Sequence, residues 1–307
     1  MSYLDPLYDL YSQYAPNSIY FHMILAPLLV AIVTYYTLGT LLLPLDFYEG
    51  LRLKLIGKKC QPNKSVDPVL LKKVLSHVTF QLVFLYPIFL AILFPILSNR
   101  LSTSKEDLPD LKTTAMHLPI YVLSAETVFF YNHWLLHTPW FYKRVHKFHH
   151  TIKAPFGFAG IYLHWWEAFS NLWVILAGPA IVKAHFMETS LWVAIVVGQV
   201  TFHHSGYDLP LDGAPPFLSS MAHFHDYHHQ FFDKCFGVIG LFDWIHGTGH
   251  TEYTKYVDEW DKERKEEKRP ENWRWGNGAY IKKKRNTGIS SEQQDDFVAV
   301  GNTKKHA

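Results

Sequence analysis

The chain has 307 residues, with 29 Lys and Arg against 27 Asp and Glu, and 49% of its residues are apolar. That composition excludes a disordered chain, and the near-zero net charge leaves no global footprint for nucleic acid. Two cysteines, Cys60 and Cys235, are too few for a disulfide framework and suit a reduced setting, in a membrane or facing the cytosol.

Residues 10–45 and 74–99 contain no Asp, Glu, Lys or Arg. Each holds an apolar stretch, FHMILAPLLVAIVTYYTLGTLLL and LSHVTFQLVFLYPIFLAILFPIL, longer than the ~20 residues a helix needs to cross a bilayer. Charge-free runs of that length exceed what core helices of a soluble domain need. The first lacks the basic n-region and small-residue cleavage site of a signal peptide, and it starts late. Pro87 and Pro95 interrupt the second, which membrane helices tolerate. A third span, AMHLPIYVLSAETVFFYNHWLL, contains one acid, Glu126, which either accepts from a nearby histidine or snorkels. Two shorter runs, about 168–182 and 189–202, are split by Lys183, His185 and Glu188. They fit a helical hairpin, re-entrant or fully crossing. Either form returns the chain to the side it left.

Basic residues set the expected orientation. Residues 1–18 have none, whereas the 44–74 loop has Arg52, Lys54, Lys58, Lys59, Lys64, Lys72 and Lys73. The N-terminus is therefore expected in the lumen, and everything from His133 onward in the cytosol. Between Lys255 and Arg285, 18 of 31 residues are charged, as in an exposed tail with a mixed-charge helix. The closing KKHA matches the two-lysine pattern that retrieves membrane proteins to the endoplasmic reticulum. The expected domains are 1–119, spans and a cytosolic loop; 120–250, the histidine-bearing unit; and 251–307, the tail.

Histidine is the outlier: of 19, 15 lie between His133 and His250. His133 and His137 are spaced i, i+4. RVHKFHH places His146, His149 and His150 at i, i+3, i+4, and HDYHH repeats that spacing with His225, His228 and His229. On a helix these positions share a face, so each triple is expected to aim its imidazoles at one point. Neutral imidazole ligates iron, zinc and copper, and eight histidines exceed what one metal holds. Two metals are the simpler answer. A single histidine on an apolar face is usually a hydrogen-bonded core residue; a pair and two triples beside membrane spans are not. No H-E-x-x-H and no nucleophile motif is present.

The order H-x-x-x-H, H-x-x-H-H, H-x-x-H-H resembles the membrane-bound fatty acid hydroxylase and sterol desaturase superfamily over roughly residues 120–250. HHSGYDLPL at 203–211 and FGVIGLFDWIHGT at 236–248 resemble two further family segments, and the C-4 methylsterol oxidase branch is the nearest. The resemblance implies an all-α integral membrane protein, with about three spanning helices plus a helical hairpin carrying a cytosolic dimetal histidine cap. It implies two iron ions, O2, and electrons from NAD(P)H through a separate donor, cytochrome b5 or an equivalent reductase chain. Carried over, the metal ligands are His133, His137, His146, His149, His150, His204, His225, His228 and His229; no catalytic residue beyond the metal centre is implied. His204 rather than His203 matches, because it begins HSGYD. Asp208 stands where fatty acid hydroxylases have a further histidine. It can ligate, orient an imidazole or leave room for water. His164 with Glu167 is a ligand, a ligand-orienting pair or a structural hydrogen bond. His203 and His223 are expected in the pocket or behind the ligands. The aromatic stretch Phe156, Phe158, Tyr162, Trp165 and Trp166 either lines a lipid slot or anchors the chain at the interface.

The implied reaction is O2-dependent oxidation of a membrane lipid C–H bond, with a sterol 4-methyl group favoured. Hydroxylation of a fatty acyl or sphingolipid chain and desaturation are the enzymatic rivals. A non-catalytic sterol-binding regulator with structural metals is the rival of another class, and a degenerate histidine box would have supported it.

Overall fold

A computed structural model describes residues 2–51, 59–61, 64–207 and 221–266. Among them there are helices and isolated bridges but no strand. Helix α1 is Asp5–Tyr14. Two helices are long and apolar enough to cross a membrane, α2 (Phe21–Phe47) and α3 (Pro68–Leu97). Val33, Leu41, Ile88 and Ile92 on their outer faces are each more than half exposed. Soluble proteins seldom leave so much contiguous apolar surface bare, so α2 and α3 are candidate membrane spans.

Both candidate spans contain one wide turn. Ala26 N donates to Phe21 O, and Tyr86 N donates to Gln81 O, each five residues back. Each wide turn lies directly before a proline, Pro27 or Pro87. A proline ring clashes with the carbonyl four residues back, and the extra residue in the turn moves that carbonyl aside.

The third expected span is helix α4, Leu111–Leu136, started by the Asp110 side chain accepting from Thr113 N at 2.7 Å. At 1.5 Å per residue it is about 39 Å long. It is less apolar than α2 and α3, and it carries Glu126 buried in its middle. The short α5 (Pro139–Arg144) follows, then a 3₁₀ turn over His146–Thr151. This corrects the expectation of an α-helix for the first H-x-x-H-H: Val145, at φ −122° and ψ −66°, breaks the helix before the triple begins.

The expected hairpin is α7 (Leu172–Val182) and α8 (Phe186–His203), preceded by α6 (Trp165–Ser170). Lys183 closes α7 in the left-handed conformation at φ 55°. Ser102 holds the hairpin tip: its N–H donates to Ala184 O at 3.0 Å and its carbonyl accepts from Phe186 N at 2.8 Å. Helix α7 lies along α4, and α8 lies along α2. The α4–α7 approach is close because Gly178 has no Cβ; one there would stand 2.8 Å from Tyr121 Cα. His117 Nδ1 meets Glu188 Oε1 at 3.0 Å, so α4 and α8 start at the same end of the bundle. Their last turns, bearing His133 and His203, therefore share the other end. Helix α9 (Met221–Phe231) packs on α8 there, followed by α10 (Leu241–His246) and α11 (His250–Glu266). The expected mixed-charge helix is α11; the rest of the tail, KKHA and Asp208 lie outside the described residues.

Candidate metal centre

The nine histidines singled out by spacing and resemblance converge in two groups. His133, His137, His146, His150 and His228 form one; His149, His204, His225 and His229 form the other. Within each group one nitrogen per ring lies within 4.8 Å of the rest. Of the adjacent pair 203–204, His204 is the member that joins.

The grouping corrects the expectation that each triple serves one point. His146 and His150 enter the five-histidine group while His149 crosses to the other; His225 and His229 enter the four-histidine group while His228 crosses back. The i, i+4 pair stays together in both triples, and the i+3 residue leaves. Successive positions i+3 and i+4 are about 100° apart on the α-helix of the second triple and about 120° apart on the 3₁₀ turn of the first, so their rings straddle a partner rather than stack on it.

Ring tautomers follow from the acceptors around the site. His133 Nδ1 donates to Phe236 O at 2.7 Å, His204 Nδ1 to Val200 O at 2.8 Å, His228 Nδ1 to Lys234 O at 2.6 Å and His229 Nδ1 to Ile152 O at 3.0 Å. His149 Nδ1 donates to Tyr162 O at 3.3 Å, and His146 Nδ1 to Glu167 Oε1 at 2.9 Å. Carbonyl and carboxylate oxygens only accept, so the N–H of each neutral ring sits on Nδ1 and the lone pair on Nε2. Those Nε2 atoms face one another. His133 and His146 approach to 3.0 Å, and His149 and His204 to 3.3 Å. In both contacts neither nitrogen has a proton to share. Two lone pairs at that distance repel unless a cation lies between them. His137 Nε2 and His150 Nδ1 are also buried without a hydrogen-bond partner. The donor set therefore fits a pair of metal ions held by neutral imidazoles.

Burial keeps those rings neutral. It pushes His146 and His228 down to about 3 and His149 down to about 4, and holds His150, His204, His225 and His229 well below their ordinary range. In the unfolded chain the same rings protonate near 6.5. Between roughly 6.5 and these depressed values the unfolded state binds more protons, so stability falls as pH falls. Metal-free protein is expected to unfold on acidification from pH 7 toward 4, and metal-loaded protein at a lower pH; circular dichroism against pH with and without added metal measures the gap.

Residues behind the histidines fix their aim. Glu167 is buried, and burial pushes its carboxyl up to about 7. Glu167→Gln keeps an acceptor for His146 but removes the charge. It is expected to weaken metal binding about 10- to 100-fold, measured by chelator competition. Asp226, between His225 and His228, accepts from Gln61 Nε2 at 3.1 Å and Gln230 Nε2 at 2.8 Å. Tyr207 of HSGYD donates to Asp46 Oδ1 at 2.6 Å, and Asp46 is paired with buried Lys59. Gly206, at φ +72°, makes the turn between His204 and Tyr207 and accepts from Cys60 N at 2.9 Å.

The closing segment holds what spacing did not reveal. The Glu126 carboxylate accepts from Val238 N at 2.7 Å, Ile239 N at 3.0 Å and Leu241 N at 3.0 Å. Asp243 accepts from Phe236 N at 2.8 Å, Gly237 N at 2.7 Å and Thr248 Oγ1 at 2.6 Å. Two buried acids thus shape the loop whose Lys234 and Phe236 carbonyls orient His228 and His133. Glu126 neither pairs with a histidine nor snorkels. A lone acid in an apolar helix was the available signal; its backbone partners, more than 110 residues away, left none.

The remaining candidates lie outside both groups. His164 caps α6, its Nδ1 accepting from Trp166 N at 3.3 Å. His203 is buried with its ring 6.1 Å from that of His225 and its Nε2 without a hydrogen-bond partner. The His223 ring lies against Tyr253 and Tyr256. Of the aromatic stretch, Phe156, Phe158 and Tyr162 are buried in the core, while Trp165 and Trp166 are exposed.

Residues 118–248 match the family model described as fatty acid hydroxylase. The chain is 35% identical over 205 residues to fatty acid hydroxylase domain-containing protein 2 of Homo sapiens, covering 66% of this chain and 58% of the relative. It is 32% identical over 161 residues to methylsterol monooxygenase 2-2 of Arabidopsis thaliana, covering 50% of this chain and 60% of the relative. A very-long-chain aldehyde decarbonylase, GL1-10 of Oryza sativa subsp. japonica, is 33% identical over 147 residues, covering 46% of this chain and 48% of the relative. The chain thus spans 58% of the length of the first of these relatives. No solved structure matches it.

Proposed function

We propose that this chain is an integral membrane oxidoreductase that oxidises a C–H bond of a membrane lipid with O2, the substrate being the 4-methyl group of a sterol. The observation that carries the reading is the facing of proton-free Nε2 atoms in two buried groups. Unactivated C–H bonds offer acid–base side chains nothing to attack, so a redox metal must supply the oxidant. Two iron ions would be held by His133, His137, His146, His150 and His228 and by His149, His204, His225 and His229. In balance, the lipid C–H, O2, two electrons and two protons give the alcohol and water. The chain's own residues bury the site, fix six of the nine rings through an Nδ1–H, and keep the imidazoles neutral. The catalytic unit is residues 120–250, preceded by the spans of 1–119 and followed by the charged tail 251–307.

The proposed setting is the endoplasmic reticulum membrane, with α2, α3 and α4 crossing it, the α7–α8 hairpin inserted, and the histidine cap and C-terminus in the cytosol. The exposed apolar faces of α2 and α3 support the crossings. The common end of α4 and α8 supports a single face for all nine histidines. The methylsterol monooxygenase relative supports the sterol substrate. Electrons would come from NAD(P)H through a separate carrier, cytochrome b5 or its equivalent.

The test is a lipid profile of cells lacking this protein, restored with wild type or with His229→Ala. Accumulated 4-methylsterols cleared only by wild type would establish the reading. Unchanged sterols with altered hydroxylated or unsaturated acyl lipids would reassign the substrate. Equal rescue by His229→Ala would leave a non-catalytic sterol-binding protein.

A further inference from the structure

We propose that the turn bearing His146, His149 and His150, together with Phe232, forms the docking face for an acidic one-electron carrier protein. This rests on the oxidoreductase reading and says where its electrons enter.

Between Thr138 and His164 the charged side chains are Lys143, Arg144, Lys147 and Lys153, all basic and all exposed. No acid occurs in that stretch; the next, Glu167, is buried. The cations alternate along the chain with the three histidines, so one short segment puts imidazoles inward and positive charge outward. Arg144 is held over the Trp140 ring at 4.7 Å, and Trp140 is exposed. Asp233 follows Phe232 in the chain, and Glu252 faces Lys234 at 3.9 Å.

Every ring in the two groups is buried or nearly so, and a protein carrier cannot touch them directly. Phe232 bridges the gap. Its ring stands edge-on to His150 at 5.0 Å, and Lys153 Nζ lies over that ring, 6.0 Å from its centroid. Phe232 has φ +61°, a left-handed conformation that bulky residues rarely adopt. The backbone there is bent against its preference and leaves an aromatic ring between the surface and His150. A basic rim around an aromatic contact to the centre suits an acidic partner steered by charge. A lipid headgroup would also meet the lysines, but it has no use for the ring against His150. Each docking delivers one electron, so two dockings supply the two that oxygenation consumes.

The test uses the full chain in phosphatidylcholine nanodiscs and the soluble haem domain of cytochrome b5 as the acidic probe. Equilibrium binding is measured at low and at physiological salt for wild type, Lys147→Glu, Lys153→Glu, and the exposed control pair Lys72→Glu and Lys73→Glu. Wild-type binding is expected to weaken with salt. Each of Lys147→Glu and Lys153→Glu is expected to weaken it about tenfold with metal content unchanged, and the controls to leave it alone. Unchanged affinity in the first two, or equal loss in the controls, would overturn the proposal. So would an effect that appears only when phosphatidylserine is added, which would assign the lysines to the membrane surface. Metal content and lipid oxidation with a chemical reductant report separately on the oxidoreductase reading. If those fail while the probe still binds, the enzyme assignment is lost and the docking face is not.

Discussion

His229→Ala is expected to leave about one metal ion per chain, against two in wild type, and to abolish lipid oxidation. The four-histidine group drops to three imidazoles, and Ile152 O loses the N–H that His229 supplied at 3.0 Å. Removing a partner that merely orients a ligand already costs about 10- to 100-fold in metal affinity, and removing a ligand costs more. His228→Ala is the informative contrast. It leaves four imidazoles, those of His133, His137, His146 and His150, in its group, and it is expected to retain both metals with weaker hold on one. Elemental analysis of the two variants after identical loading separates these outcomes. His229→Gln, which keeps a donor near Ile152 O, guards against reading a folding defect as metal loss. Equal metal content in wild type and His229→Ala would sink the two-group assignment.

Glu126→Ala should be the most destabilising single change in α4. It orphans three backbone N–H groups, those of Val238, Ile239 and Leu241. A buried donor left without a partner costs about 1–3 kcal/mol, so the total should exceed about 3 kcal/mol. Glu126→Gln should cost less: one amide oxygen still accepts, but the NH₂ faces a backbone donor. Thermal unfolding in detergent, with and without metal, gives the order Ala, then Gln, then wild type in rising stability. The loop freed by the change also carries the Phe236 carbonyl that orients His133, so metal release should accelerate in the same order.

Local periodicity and composition made much of this legible. The uncharged runs gave α2 and α3 because a helix in a bilayer cannot hide charge along its length. The His–x–x–His–His spacing placed rings on common faces, and the nine rings do meet. The split of each triple between two groups was not legible, because spacing fixes a residue's face but not which neighbour that face meets. The 3₁₀ winding of His146–Thr151 was hidden too: Val145, whose backbone departs from the helix at φ −122° and ψ −66°, is an ordinary residue that marks no break in the sequence. The sequence left His164 open between a ligand, a ligand-orienting pair with Glu167 and a structural hydrogen bond; Glu167 turns to His146, and His164 makes a structural bond that caps its own helix. Glu126 and Asp243 act on backbone N–H groups, which every residue has and no motif records.

The exchange of one imidazole between the two histidine triples bears on how the protein matures. Neither ion can be fully enclosed by the segment that leaves the ribosome first, since His150 waits for His228 and His149 waits for His225 and His229. Roughly eighty residues separate the two contributors, and the whole α7–α8 hairpin must fold before they meet. In the proposed two-metal site, metal would work as a clasp with two interlocked hooks: closing one draws in the segment that closes the other. Loading of the four-histidine group should accordingly come late, and a chain stalled before α9, which has only His149 and His204 of that group, should emerge without that ion and with the other weakly held.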